Sequence, residues 1–348
     1  MKRSSSIGAK FKSVYPLGSI ELHVFTMIEI KRYTTNSFEE WNQFLQIAAN
    51  STFLLHRNFV EYHSDRFTDC SLLFYKKGKL VALLAGNTEG EGYYSHQGLS
   101  YGGLIYQNAL RLEDTIACFE ALTQYAEGQS IKTLYYKPVP TYHHSAFVNS
   151  DVFLLQKLGA KQHLEASSVI DISNALPFQQ RRKRAIGKAR KNQLEVKVNT
   201  EEWEQYWAIL TENLKEQHGV SPTHSTAEIK YLKQHFPQQI QLQTCWFNNT
   251  LVAGVVLFLN STTVHAQYIA STKQGRALGA LDFLLDYLLR RFQYLNYFSL
   301  GVNDLRNTAG NLNNGLNDWK EGFGARVWQH YHFTISFEQL KGAKSILK

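Results

Sequence analysis

The first place where this chain could do chemistry is a strand that runs through small and basic residues into a helix. Tyr268-Ile269-Ala270-Ser271-Thr272-Lys273-Gln274-Gly275-Arg276-Ala277-Leu278-Gly279-Ala280-Leu281 has that form. Free backbone N–H groups at a helix N-terminus bind phosphate, and Lys273 and Arg276 would add charge. The plain alternative is an ordinary strand-to-helix turn in which glycine supplies a positive φ. A second concentration lies at Gln179-Gln180-Arg181-Arg182-Lys183-Arg184-Ala185-Ile186-Gly187-Lys188-Ala189-Arg190-Lys191, where seven of thirteen residues are basic and none is acidic. Charge that wraps much of a helix repels itself unless an anion or an acidic surface lies nearby. Phosphate contact and a solvated face are both open. No aromatic residue interleaves the run, so a stacking platform for single-stranded RNA is not indicated. A third stretch is Tyr93-Tyr94-Ser95-His96-Gln97-Gly98-Leu99-Ser100-Tyr101-Gly102-Gly103-Leu104-Ile105, whose glycines permit close backbone approach to a ligand.

Composition bounds what these stretches belong to. A chain of 348 residues is long for one core and fits two domains. With 44% hydrophobic and 13% aromatic residues it can bury a sizeable core. No run of apolar residues is long enough to span a membrane. Cys70, Cys118 and Cys245 are far apart and odd in number, which provides neither a disulfide framework nor zinc spacing. A reducing, cytoplasmic setting follows as an expectation, with no metal. The net charge of +8 favours an anionic partner such as phosphate, a nucleotide, RNA or an anionic membrane face.

The elements that must position these residues repeat. Leu72-Leu73-Phe74-Tyr75-Lys76-Lys77-Gly78-Lys79-Leu80-Val81-Ala82 reads as strand, tight turn, strand. Cys245-Trp246-Phe247-Asn248-Asn249-Thr250-Leu251-Val252-Ala253 reads the same way half a chain later, with Leu-Val-Ala after both turns. Each hairpin leads to a helix, over 112–128 and 277–293, and then to a short strand, over 133–137 and 297–300. Similarity at a fixed offset indicates a duplicated unit, and a cleft between duplicated α/β units is a usual ligand site. The expected organisation is a first unit over 27–172 and a second over 173–348, with the break at Ser173-Asn174-Ala175-Leu176-Pro177. Residues 1–26 read as a flexible extension or a misassigned start, because alternating strand pattern begins only after Met27.

Four stretches in this order resemble the tandem-GNAT acyltransferases, the FemAB-like and BioF2-like proteins. Arg276-Ala277-Leu278-Gly279-Ala280 is similar to the acyl-coenzyme A loop of GNAT proteins, although Leu281 stands where a glycine or alanine is expected. Trp319-Lys320-Glu321-Gly322-Phe323-Gly324 resembles their C-terminal signature, the basic helix 179–191 resembles the one that opens their second unit, and 93–105 resembles a first-unit loop. The resemblance implies an α/β (α+β) fold of two GNAT-like units in tandem, each a mixed sheet flanked by helices, with a cleft between. It implies acyl transfer with direct attack by an amine or hydroxyl. Such transfer needs the donor carbonyl polarised and a base for the nucleophile's proton. Carried over, Lys320, His265, Tyr268 and Asp304 are the catalytic candidates. Ser271, Lys273, Gln274, Arg276, Gly279 and Ala280 would hold acetyl-CoA or another acyl-CoA as donor. His96, Tyr101, Lys137, Tyr142 and Arg181 would meet an anionic sugar-nucleotide or lipid-linked acceptor of the cell envelope, at the inner face of the membrane. The alternatives are a FemABX-type transferase that uses aminoacyl-tRNA on a peptidoglycan precursor, and a non-catalytic nucleotide-binding protein. His96, His143 and His144 could equally be structural, and Lys320 a solvated residue on a short helix.

Overall fold

A computed structural model describes residues 27–303 and 312–347. The strands are β1 (Ile28–Arg32), β2 (Leu72–Lys76), β3 (Lys79–Leu84), β4 (Asn87–Glu89), β5 (Gly92–Tyr94), β6 (Leu104–Tyr106), β7 (Thr133–Tyr136), β8 (Lys161–Asp171), β9 (Glu195–Lys197), β10 (Ile240–Phe247), β11 (Thr250–Leu259), β12 (Thr263–Ser271), β13 (Tyr297–Val302) and β14 (Arg326–Ser336). The helices are α1 (Phe38–Ile47), α2 (Arg57–Val60), α3 (Leu112–Gly128), α4 (Ser150–Lys157), α5 (Gln180–Lys191), α6 (Trp203–His218), α7 (Thr226–His235), α8 (Lys273–Leu278), α9 (Ala280–Arg291), α10 (Asn314–Glu321) and α11 (Phe337–Leu340). The class is α/β with mixed sheets, as expected.

The repeat extends to backbone detail. The β2–β3 turn places Lys77 and Gly78 at φ 51° and 75°, and the β10–β11 turn places Asn248 and Asn249 at 48° and 60°. Two central residues with positive φ are the hairpin turn whose twist matches the strands, which is why Gly and Asn appear there. Each hairpin also carries a bulge at the same distance from its turn. Phe74 faces Ala82 but Tyr75 faces Leu80, and Cys245 faces Ala253 but Trp246 faces Leu251. The residue left over is Val81 in one copy and Val252 in the other. Later pairing matches too: β5 runs parallel to β7, as β12 does to β13.

The halves differ from two self-contained sheets. Strands β1-β2-β3-β6 form a four-stranded sheet, while the order β4-β5-β7-β14-β8-β13-β12-β11-β10-β9 forms a ten-stranded one. The first-half hairpin therefore lies in a different sheet from its second-half counterpart, because β3 and β4 part at Ala85-Gly86 and β5 and β6 are parted by the loop 95–103. In the second half β11 and β12 run through without a break. Moreover, the last strand of each half is exchanged. β8 pairs antiparallel with β13 of the second half, β14 pairs antiparallel with β7 of the first, and β8 and β14 pair with one another from Lys161↔Thr334 to Val169↔Arg326. A boundary at 172/173 divides the sequence repeat but not the sheet.

Packing joins the halves as well. Buried Trp41, Leu55 and Phe59 share a core with Trp203, Tyr206 and Phe258. The Phe53 ring lies 5.2 Å from Phe236 and 5.3 Å from Phe258. Arg57 is 1% exposed; it ion-pairs with Asp69 at 2.5 Å and lies over the Tyr33 ring at 3.5 Å. The charge run of α5 also finds its acidic surface: Arg182 pairs with Asp282 at 2.8 Å, Arg190 with Asp286 at 2.9 Å and Arg181 with Asp318 at 2.5 Å. Because sheet and core are continuous across the halves, unfolding is expected as one cooperative transition. Scanning calorimetry checks this: the van't Hoff and calorimetric enthalpies should agree. Two resolved transitions would show that the halves fold independently.

Candidate functional site

A cavity of about 560 Å³ opens between the halves. Its floor is the β8–β14 seam together with β12 and the corner at Gly301-Val302, and its walls are the 98–101 loop and α6. Five of the sequence candidates line it, Lys320, His265, Tyr101, Lys137 and Tyr142, and a sixth, Tyr268, reaches it through His224.

Lys320 is 3% exposed, so a solvated lysine is ruled out. α10 starts at an Asn313 cap, whose Oδ1 accepts from the Leu316 N–H at 3.0 Å. Packing of Trp319 on Phe323, centroids 5.1 Å apart, fixes the other end of this helix. The Lys320 ammonium then donates to the carbonyls of Gly301 at 3.0 Å and Val302 at 2.7 Å. It is tied to the strand end at the cavity floor, a positioning geometry that was not anticipated. Asn303, fully buried, donates to Ser168 at 2.7 Å and Asn317 at 2.9 Å and clamps the same corner from the other side. Asp304 lies outside the described residues.

His265 meets the Ser299 hydroxyl through Nδ1 at 3.0 Å. Surrounding atoms enclose its ring although one edge is reachable from the cavity. Burial, with the nearby Lys320 charge adding to it, lowers its pKa to about 4, so the imidazole is neutral at pH 7. The Tyr268 hydroxyl and His224 Nδ1 are 2.5 Å apart, Trp207 donates to the His224 carbonyl at 3.0 Å, and the Tyr62 ring stacks on His224 at 5.9 Å. His224 is buried, and burial lowers its pKa to about 4. Tyr101 packs against His143 at 5.1 Å, and burial drives the His143 pKa well below its ordinary value. The backbone carbonyl of Tyr142 accepts from the hydroxyls of Thr262, at 3.1 Å, and Thr263, which anchors the first half to β12.

Other candidates stand apart. His96 is buried at φ 68°, its Nδ1 accepts from the Gly98 N–H at 3.2 Å, and it shapes the loop without lining the cavity. Arg181 is spent on Asp318. In the donor loop Thr272 caps α8 by accepting from the Gly275 N–H at 3.0 Å. A Cβ on Gly275 would meet the Val252 carbonyl at 2.1 Å, and one on Gly279 the Ala185 carbonyl at 2.5 Å. Both glycines admit close approach of neighbouring backbone, from β11 and from α5. Ala280, at the start of α9, is buried. Ser271 is also buried, and its N–H points to Asn213 at 3.4 Å. Arg276 donates to the Ser271 carbonyl at 2.9 Å, and Lys273 pairs with Glu216 at 3.0 Å. Lys273, Gln274 and Arg276 are exposed and outside the cavity lining, and Arg276 donates to Asn213, which lines it, at 3.3 Å.

Sequence reasoning missed Glu165, His330 and His332, which gather on the cavity floor. Glu165 faces His330 across the β8–β14 ladder, and His332 lies two residues along on the same face. The two histidines hold the Glu165 carboxyl well below the usual carboxylate range. Burial lowers Lys137, with Glu165 opposing that shift. The His330-Tyr331-His332 spacing was the one signal in the sequence that could have found them.

No protein-family model and no curated protein matches the chain. Solved structures do. FemX superposes with a TM-score of 0.63 at 12% identity, over 90% of this chain and 98% of its own. A conserved protein of unknown function from Bacteroides thetaiotaomicron VPI-5482 gives 0.58 at 15% identity, over 89% and 100%. L-PGS from Bacillus licheniformis gives 0.57 at 13%, over 87% and 92%. The chain thus has a Fem-like fold of two GNAT-like units in tandem. Among the described residues no helix is long and apolar enough to cross a membrane.

Two measurements check the site's physics. His96, His143, His224, His265 and His332 all have lowered pKa values in the folded chain and titrate near 6.5 when unfolded. Their neutral forms are the folded ones, so stability is full above about pH 6.5 and falls as pH drops toward about 4. Denaturation midpoints between pH 6.5 and 5 should show at least about two protons taken up on unfolding. The second is Lys320→Met, which removes the donor to two carbonyls and should cost about 1–3 kcal/mol in urea unfolding.

Proposed function

We propose that this protein is an acyltransferase that moves an acyl group onto an amine or hydroxyl held in the cavity between its halves. The observation that carries the reading is the neutral, hydrogen-bonded His265 beside the Lys320-clamped corner, inside a cavity on a fold shared with FemX. Attack by an amine on a carbonyl generates an acidic ammonium, so a weak but neutral base suffices to remove its proton. Ser299 orients the imidazole, and the Tyr268–His224 pair offers a second proton-transfer group on the same strand. The carbonyl oxygen becomes anionic as the nucleophile adds, and the positive Lys320 corner favours that charge.

The donor we favour is an acyl-CoA, with Arg276, Lys273 and Gln274 holding its phosphates through side chains at the Asn213 rim and the acyl end reaching the cavity. The acceptor class we favour is a cell-envelope sugar precursor. One observation supports a second reading, an aminoacyl-tRNA donor. After Arg182, Arg190 and Arg181 pair with Asp282, Asp286 and Asp318, Lys183, Arg184, Lys188 and Lys191 remain exposed on one helix. Such a stripe suits a phosphate backbone.

A thermal-shift panel of acetyl-CoA, CoA, UDP-sugars and aminoacyl-tRNA separates the readings, because a ligand of the native state raises the melting point by mass action. Arg276→Ala should weaken acetyl-CoA by roughly tenfold or more under the first reading and leave tRNA binding unchanged. Charge reversal at Lys183 and Lys188 should do the opposite. With the donor so identified, His265→Gln should lower turnover by roughly 100-fold or more while the melting point stays near wild type. No shift from any of these donors would overturn acyl transfer.

A further inference from the structure

The cluster on the cavity floor has a chemistry that the acyl-transfer reading does not use. Glu165, His330 and His332 come from paired strands, and the ladder presents them on one face. Their ligand atoms all lie within 4.8 Å of one another. Glu165 Oε2 is 3.3 Å from His332 Nε2 and 3.7 Å from His330 Nδ1. Tetrahedral zinc with bonds of roughly 2.0–2.1 Å holds neighbouring ligand atoms roughly 3.3 Å apart. The two carboxylate–imidazole spacings are thus close to those around a bound ion, and the two ring nitrogens lie within 4.8 Å of one another.

The surroundings favour a cation over a simple ion pair. His330 Nε2 lies 3.1 Å from the Pro138 carbonyl. A carbonyl only accepts, so Nε2 carries the hydrogen, and Nδ1 is the ring atom on the Glu165 side. His332 Nε2 is buried and makes no hydrogen bond, despite its nearness to the carboxylate. Two ring nitrogens, one of them without a hydrogen bond, and a carboxylate thus converge on one point. Lys137, Tyr142, His143 and His163 are titratable neighbours of the group. Lys137 lines the same cavity. His163 stands opposite His332 with ring centroids 5.8 Å apart.

We propose that Glu165, His330 and His332 form a binding site for a divalent transition ion, zinc foremost, with an open coordination position facing the cavity. Two neutral imidazoles and one carboxylate are a ligand set of catalytic zinc sites, which leave one position for water or substrate. An ion here could bind a carbonyl or hydroxyl oxygen of a ligand in the cavity. The site stands or falls independently of the acyl-transfer reading.

The test is metal binding by the full chain after chelator treatment and dialysis. Zinc titrated in competition with a chromophoric chelator should bind at about one ion per chain. Cobalt in its place should give the strong visible absorption of a tetrahedral site. His330→Ala, His332→Ala and Glu165→Gln should each weaken zinc by about tenfold or more, with circular dichroism confirming the fold. The wild-type measurements decide the matter should a variant misfold. Wild type that fails to outcompete the chelator, or that gives only the weak spectrum of six-coordinate cobalt, overturns the proposal. So does a folded His330→Ala/His332→Ala variant that binds as wild type does.

Discussion

The antiparallel pairing of β8 with β14 is the constraint on which the rest of this molecule depends. Each strand ends one half of the chain and closes the sheet of the other. The pairing makes one ten-stranded sheet out of two repeats, and it also builds the cavity floor. Side chains alternate along a strand, so Glu165 and Ser167 on β8 and His330 and His332 on β14 reach the cavity only in this register. A slip by one residue would turn all of them to the opposite face.

Charge in the cavity is managed by burial and by short contacts. Burial keeps His143, His224 and His265 neutral. Lys320 is accommodated by two carbonyls at the end of β13, and Lys137 sits opposite the ionised Glu165. The result is a polar pocket whose buried histidines are held in their uncharged forms. Outside it, the strongly basic α5 is held by aspartates from α9 and α10, which converts a self-repelling run into part of the helix packing.

The two halves keep the same turn, the same bulge and the same strand order while differing where the first half breaks its long strands. That break releases the loop 95–103, which brings Tyr101 to the cavity wall. The second half keeps β11 and β12 intact and supplies His265 and Tyr268 from one strand. FemX shares the fold at 12% identity.

Much of this was legible in the amino-acid order, because the signals are local. The Lys77-Gly78 and Asn248-Asn249 turns, the alternation in β3 and β11 and the periodic apolar face of α3 arise from neighbours in the chain. The repeat revealed the duplicated architecture, and the Trp319-Lys320 signature led to a residue at the cavity floor. The exchange of β8 and β14 was not legible, since either strand satisfies its alternation equally well beside its own half or the other. Nor was the packing use of Gly279, whose motif reads alike whether its open face meets a phosphate or the Ala185 carbonyl. His224, Glu165 and His330 line the cavity only because segments distant in sequence are laid side by side. Hydrogen bonds and burial between such residues depend on three-dimensional proximity, which only the tertiary structure decides.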